Sequence, residues 1–552
     1  MPPRPIAVLL TLSVLVACKY REPYQPPPPP PPPPGEDGGS GSDGGVVPPE
    51  QPLPWSRRAV TYELLVRSFQ DSDGDGKGDL PGLISRLDYL NDGNDSTTTD
   101  LGVDAIWLLP VFASPSYHGY DTTDYDQINP AYGTNADFQR LASEAHRRGI
   151  KLVLDLVVNH TGSGHPWFQD SASSPTSAHR DWYVWSASDL GWRPPWDPYT
   201  GPNCWHQRNG AWYYGLFWSE MPDLNFRNQA VRDEMKRVAQ QWLARGADGF
   251  RLDAIRYLVE GSGGQADTAE THAYWREFAD AVRSVRPDAM MAGEAWTDTS
   301  TIAGYYDDLP LNFDFPLAQA TIDGVNGGNG AGIASVIDQA RSTYAPGATD
   351  APFLSNHDMT RTATRLGSSA GKIKNALAIV LTVPGSPFLY YGEELGLLNG
   401  NSCGGCDEDK RSPMPWDATP GGGFTTGTPW HPFAPGQGSA NVAAETGVDT
   451  SLLSRTRKLI AVHRGSEALS QGSIRWLSRS GSVLAFSRTS GPETVLVVHN
   501  LSDSSANAGP YNVTSSRPIT LFADPGVTDL SGGTGNFHAS LSGRGTGIYR
   551  LQ

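Results

Sequence analysis

One unit recurs along this chain: a short, unbroken apolar run that ends in polar residues and leads into a helical pattern. The runs fall at 62–66, 105–109, 151–156, 249–252, 290–293, 352–354 and 387–390. Strands buried on both faces read as continuous apolar runs, so the alternation predicts a parallel sheet covered by helices. Helical patterns at 135–149 and 230–245 fit the cover. A weaker run at 311–315 brings the strands to eight, and eight βα units predict an α/β fold, a (β/α)8 TIM barrel. A doubly wound open sheet is the alternative; polar side chains at so many strand ends favour the barrel.

The rhythm stops between 160 and 218, a stretch rich in Trp, Tyr, Pro and Ser, which reads as an excursion after the third strand. Beyond a helix at 451–463 the pattern changes to short alternating strands at 483–486, 494–498 and 519–522. That predicts an antiparallel β-sandwich. The expected domains are a barrel over 55–465, with the excursion inserted at 160–218, and a C-terminal sandwich over 466–552.

The N-terminus reads as an address. Arg4 precedes an apolar run at 6–17, too short to span a bilayer but right for a signal peptide. It ends Leu15-Val-Ala-Cys18, which resembles a bacterial lipobox and implies cleavage and lipidation at Cys18. Residues 1–18 are thus expected to be a lipoprotein signal. Lys19 follows, so the Asp that retains lipoproteins at the inner membrane is absent. The expected location is exported: a bacterial cell-envelope lipoprotein, with the outer membrane as an extension, or a secreted form. Residues 19–54 read as a disordered tether, with a proline run at 26–34 for stiffness and a Gly/Ser/Asp stretch at 35–45 for flexibility. In an oxidising compartment Cys403-Gly-Gly-Cys406 is placed to close a small disulfide loop, with Cys204 left free. A redox or zinc site fits these cysteines less well.

The formal charge of -17 argues against nucleic acid and anionic membrane surfaces as partners. Sixteen Trp and 21 Tyr offer flat faces that suit sugar rings, although most aromatics are core material. Barrels of this kind gather reactive groups at strand C-termini. Those ends carry Asp155 and His160, Arg251 and Asp253, Glu294, and His357 with Asp358. Breaking a glycosidic bond needs two carboxyl groups across it, one to protonate the leaving oxygen and one to attack carbon 1 or activate water.

Four segments sharpen this. Asp155-Leu-Val-Val-Asn-His160, Gly249-Phe-Arg-Leu-Asp-Ala254, Gly293-Glu-Ala-Trp296 and Phe353-Leu-Ser-Asn-His-Asp358 resemble, in order, the four motifs of the α-amylase family of glycoside hydrolases. The resemblance implies Asp253 as nucleophile, Glu294 as general acid/base and Asp358 as the third essential carboxylate. It implies that Arg251 orients Asp253, that His160 and His357 hydrogen-bond the reacting sugar, and that Tyr120 forms the platform beneath it. Asp121 is expected either to support the site or to serve only its turn. Met221-Pro-Asp-Leu-Asn225 is similar to a form intermediate between oligo-1,6-glucosidases and neopullulanases. Its alternative reading is a loop that packs the excursion onto the barrel.

Asp71-Ser-Asp-Gly-Asp-Gly-Lys-Gly-Asp79 resembles the start of an EF-hand loop, but Gly82 stands at the twelfth place, so a true EF-hand is not expected. Related amylases hold Ca²⁺ in this loop. The resemblance implies carboxylates from Asp71, Asp73, Asp75 and Asp79 plus the Lys77 carbonyl, hard oxygen ligands that suit Ca²⁺. Arg256 and Tyr257 stand where many family members have Lys-His, so a second calcium site at Asn159 is not expected. The expected activity is retaining, endo-acting hydrolysis of α-1,4 bonds in starch, glycogen or maltooligosaccharides by a monomer. The rivals are an oligo-1,6-glucosidase, a neopullulanase-like or transglycosylating enzyme on the same scaffold, and a non-catalytic glycan-binding lipoprotein. The last is disfavoured because all three carboxylates are present.

Overall fold

The computed structural model describes residues 54–552, apart from 262–263, 516 and 534. The signal at 1–18, with Cys18, and nearly all of the tether at 19–54 lie outside the described residues. Eight parallel strands form one sheet: β1 (Thr61–Leu64), β2 (Ala105–Leu108), β3 (Lys151–Leu156), β4 (Gly249–Leu252), β5 (Met290–Gly293), β6 (Leu311–Phe313), β7 (Thr349–Ala351) and β8 (Phe388–Tyr390). β1 to β7 pair in chain order, and β8 pairs back onto β1. Between β7 and β8, Ser386 N–H donates to Asp350 O and Phe388 N–H to Pro352 O, which completes the ring. The expected barrel is therefore what forms, rather than an open sheet.

Register explains one glycine. A Cβ at Gly249 would sit 2.4 Å from Met290 O, so β4 and β5 approach closely only because residue 249 has no side chain. The apolar run at 352–354 was shifted by one strand end: the paired residues are Thr349–Ala351, and 352–354 lead out of the sheet. A run of apolar residues marks burial, not pairing, and this one is buried just past the strand. Inside the barrel Trp107, Phe313 and Phe388 meet with ring centroids 4.8–6.2 Å apart. This aromatic layer gives the strand ends a dry, low-dielectric floor.

The excursion carries a three-stranded sheet of Trp185–Ser186, Ala211–Tyr214 and Trp205–Arg208. It rejoins the barrel through bridges between His160 and Asp223 and between Tyr183 and Leu224. At the C-terminus, five antiparallel strands lie in the order Ser473–Ser478, Val483–Ser490, Glu493–Asn500, Thr546–Leu551, Ile519–Ala523. A second pair, Ala506–Tyr511 with Phe537–Leu541, closes over a separate apolar core that includes Leu496, Val498 and Tyr549. Arg488 donates from here to Thr382 O at 2.7 Å, and Arg455 on the barrel side grips Asp524 with both ends of its guanidinium. No described helix is long and apolar enough to cross a membrane.

Candidate active site

Arg251 organises one half of the site. Its place on β4 is opposite Asp155 on β3 and Ala292 on β5, and paired residues of a parallel sheet face the same side. The side chain is buried inside the barrel. Its Nη1 donates to Asp155 Oδ1 at 2.8 Å and to Asp253 Oδ1 at 2.7 Å; its Nη2 lies 2.7 Å from Glu294 Oε2. One guanidinium thus gathers three carboxylates from the ends of β3, β4 and β5. A buried cation is tolerated only with such compensation. Ala254 follows with φ +49°, left-handed for a residue that has a Cβ, and in that turn its N–H donates to Glu294 Oε2 at 3.2 Å.

His357 organises the other half. Its Nδ1 pairs with Glu63 Oε1 on β1 at 2.7 Å, and its Nε2 lies 2.6 Å from the Tyr120 hydroxyl and 3.1 Å from Asp358 Oδ2. Tyr120 stacks on the imidazole at 5.5 Å and donates to Asp155 at 3.0 Å, so the two halves are joined. Arg411 Nη2 holds Asp358 Oδ1 at 2.8 Å.

These partners set the protonation states. Burial raises His357's cost of charge, but Asp358 and Glu63 outweigh it and lift the imidazole to about 9. Burial likewise opposes ionisation of Asp358, yet the charges of His357 and Arg411 hold its carboxyl well below the usual range. Asp253 is pushed up by burial, against the pull of Arg251, to about 6, so it remains ionised at pH 7. Glu294 is raised by burial, with Arg251 pulling down and Asp253 and Asp358 pushing up. Burial lowers His160 to about 4, leaving a neutral imidazole. Two carboxyl groups on one cation, one ionised and one displaced towards keeping its proton, are the components of acid–base and nucleophilic attack on one bond.

Asp253, Glu294 and Asp358 open into a cleft of about 650 Å³, with Tyr120, His160 and Arg411 on its wall. Arg251 and His357 sit behind it as supports. Asp121 does not reach the cleft; its carboxylate accepts from the hydroxyls of Ser114 and Ser116 and braces the loop that carries Tyr120. Of the excursion's tryptophans, Trp205 is buried and Trp182, Trp185 and Trp212 pack against its cores. Rings that line the cleft include Trp218, Trp196, Phe217, Tyr257 and Trp296. Trp196, Trp218 and Trp296 are 54%, 52% and 50% exposed, so each ring is open to a ligand in the cleft. Asp223, in the 221–225 segment, accepts from Asn159 Nδ2 at 2.9 Å and from Leu216 N–H at 2.9 Å, which packs the excursion onto β3.

The acidic loop lies after β1. Carboxylate oxygens of Asp71, Asp73 and Asp79 come within 4.8 Å of one another, a hard-oxygen donor set that fits Ca²⁺. Asp75 stands apart from this trio and pairs with Lys77 Nζ at 2.9 Å. Gly76 has φ +89°, and a Cβ there would meet Thr428 O at 1.9 Å, so the tight loop needs glycine. Cys403 and Cys406 are disulfide-bonded, and Cys204 is a buried free thiol.

Glu63, Arg411 and the rings at 196, 217 and 296 escaped sequence reasoning. Glu63 had a signal, a lone charge inside an apolar strand, which burial demands be paired. Arg411 had none, since its partner is 53 residues away.

A buried two-carboxylate centre at the strand ends of a (β/α)8 barrel, beneath an open aromatic cleft, defines the class of glycan-cleaving barrels. Residues 63–472 match the model of the alpha amylase catalytic domain. Alpha-amylase 3 of Dictyoglomus thermophilum is 41% identical over 81% of this chain and 85% of its own length. An oligo-1,6-glucosidase of Parageobacillus thermoglucosidasius is 31% identical over 81% of this chain and 91% of its own. The crystal structure of α-amylase from H. orenii superposes with a TM-score of 0.82 at 36% identity, covering 90% of this chain and 99% of that one. The chain belongs to the α-amylase family of glycoside hydrolases.

Proposed function

We propose that the protein hydrolyses internal α-1,4 bonds of starch, glycogen or maltooligosaccharides with retention of configuration. The observation that carries this is the clamp of Asp253 and Glu294 on Arg251 under a cleft open at its rim. The two carboxyl groups bind one guanidinium, Asp253 at Nη1 and Glu294 at Nη2, each at 2.7 Å, which supports a nucleophile and an acid acting on the same bond, as in retention. Asp253 attacks carbon 1 while Glu294 protonates the leaving oxygen; Glu294, now a base, takes a proton from the water that releases the glycosyl group. Asp358, held ionised by His357 and Arg411, binds sugar hydroxyls and favours the distorted ring. Tyr120 and neutral His160 complete the pocket around that sugar. The 41% identity to a protein named alpha-amylase 3 supports the α-1,4 reading over the 1,6 reading.

Ca²⁺ is proposed to bind Asp71, Asp73 and Asp79, with the Lys77 carbonyl joining the set while Asp75 stays paired with Lys77 Nζ; it ties down the loop after β1 and takes no part in bond cleavage. Export and lipidation at Cys18 are proposed from the lipobox alone, and labelled fatty acid incorporated into wild type but not Cys18→Ser tests them. Product analysis on soluble starch, maltoheptaose, pullulan and isomaltose, beside Asp253→Asn, tests the activity. Internal cleavage of starch that the variant lacks, with isomaltose untouched, is the expected result. Cleavage of isomaltose but not starch makes it a 1,6-glucosidase, and dominant chain lengthening makes it a transglycosylase.

A further inference from the structure

One part of the cleft wall is a segment with little structure of its own. Asp407 and Arg411 line the cleft, and the helix between them, Asp407–Lys410, is a single turn. One turn is not self-supporting. Yet this segment reaches Asp358 twice and the carbonyl of His357 before it once. Arg411 Nη2 donates to Asp358 Oδ1 at 2.8 Å, Arg411 Nε to His357 O at 3.1 Å, and Lys410 Nζ to Asp358 O at 2.9 Å. Lys410 O in turn accepts from Arg361 Nε at 2.8 Å and from the Tyr390 hydroxyl at 3.1 Å. The placement of the third carboxylate therefore depends on where this turn sits.

Besides those bonds, two clips tie the turn to residues 402–403. Behind it, the buried Asp409 carboxylate accepts from Ser402 N–H at 3.0 Å and Cys403 N–H at 3.3 Å and pairs with His431 at 3.0 Å. In front, Cys406 is the residue from which the turn starts, with no side-chain cap, and it is bonded to Cys403 across a Cα separation of 5.7 Å. The first clip is hydrogen-bonded and buried. The second is covalent, with Cys403 exposed and Cys406 half-buried, within reach of a reductant.

We propose that the Cys403–Cys406 disulfide is a positioning pair for Asp358, fixing the turn that delivers Asp407 and Arg411 to the cleft and Lys410 to Asp358 O. Its kinetic consequence rests on the hydrolase reading above. A dithiol reductant gives two electrons and two protons, the S–S bond becomes two thiols, and the reductant closes to its own disulfide. The Asp409 clip remains, so the wall loosens while the barrel stays folded. Because Asp358 acts on the distorted ring, the loss falls on kcat more than on KM. A misplacement of this sort costs about ten- to a hundredfold in kcat.

The test compares the full-length oxidised protein, the same protein in dithiothreitol, and a Cys403→Ser/Cys406→Ser variant. Amide hydrogen exchange at 354–362 and 399–411 is followed by mass spectrometry without substrate, and kcat and KM are measured on maltoheptaose. Faster exchange in both segments on reduction is expected, with a fall in kcat at near-constant KM, and a double variant that starts low and ignores dithiothreitol. Unchanged exchange at 354–362 overturns the proposal. So does a lowered Tm with kcat intact, which marks the bridge as merely structural. If the exchange responds as expected but the oxidised protein cleaves no α-glucan, positioning stands and the hydrolase reading fails.

Discussion

At the floor of the cleft the polar groups come from barrel strands or the loops just after them and are paired: Glu63, Asp155, Arg251 and His357 are buried, and Glu294 is partly exposed. At the rim the rings of Trp196, Trp218 and Trp296 come from loops and stand half exposed, with aromatic backing from Phe217 behind Trp196 and Phe315 behind Trp296. The contrast follows from what each region does. Charge that develops during bond cleavage is stabilised best by groups fixed in advance in a dry setting. A sugar chain of varying length is met best by flat, open faces that ask little of its orientation. Floor substitutions should therefore act on kcat, and rim substitutions on KM.

The largest effect is expected at Asp253. Asp253→Asn removes the attacking oxygen and should lower kcat about 10⁴-fold or more with KM little changed. Steady-state kinetics on maltoheptaose checks this, and a loss confined to KM would place Asp253 with the rim. Glu294→Gln should cost about 10²–10⁴-fold. The pH profile adds a sign. Activity needs Asp253 ionised, so it should fall as pH drops through about 6. It also needs Glu294 protonated, so it should fall again at higher pH as that proton is lost, and the alkaline limb should vanish in Glu294→Gln when a substrate with an activated leaving group is used. An alkaline limb that persists in the variant assigns it to another group.

Arg251→Met tests the pairing itself. It strands two buried carboxylates, Asp155 and Asp253, and the partly exposed Glu294, and chemical denaturation should show a loss of about 3–5 kcal/mol. A loss under 1 kcal/mol would mean that the floor is not the tightly compensated cluster that its distances imply. The smallest effects belong to the rim. Trp196→Ala or Trp296→Ala should raise KM for maltoheptaose by about two- to tenfold, from about 0.5–1.5 kcal/mol of lost ring contact, and leave kcat alone. Equal loss on a short chromogenic glucoside would put these rings in contact with the reacting sugar instead.

The same contrast decides what the sequence could show. Floor residues sit at fixed offsets from apolar strands, so Asp253, Glu294 and Asp358 were legible from strand endings and motif order together. The barrel was legible for the same reason: its period is local. The rim depends on contacts between residues far apart. The pairing of Arg411 with Asp358 spans 53 positions, and only the folded excursion decides that Trp218 faces the cleft while Trp205 is buried. Asp121 shows the limit from the other side. Beside Tyr120 in sequence, it is turned away to two serine hydroxyls, because neighbours on a loop need not share a direction.

The central claim is a covalent, retaining mechanism through Asp253. The most direct measurement is proton NMR of maltoheptaose cleavage in its first minutes, before mutarotation, read at the anomeric signals. The α-anomer should appear first and the β-anomer only later. Products released first as the β-anomer would mean inversion, and with it that Asp253 serves as a base on water rather than as the attacking group.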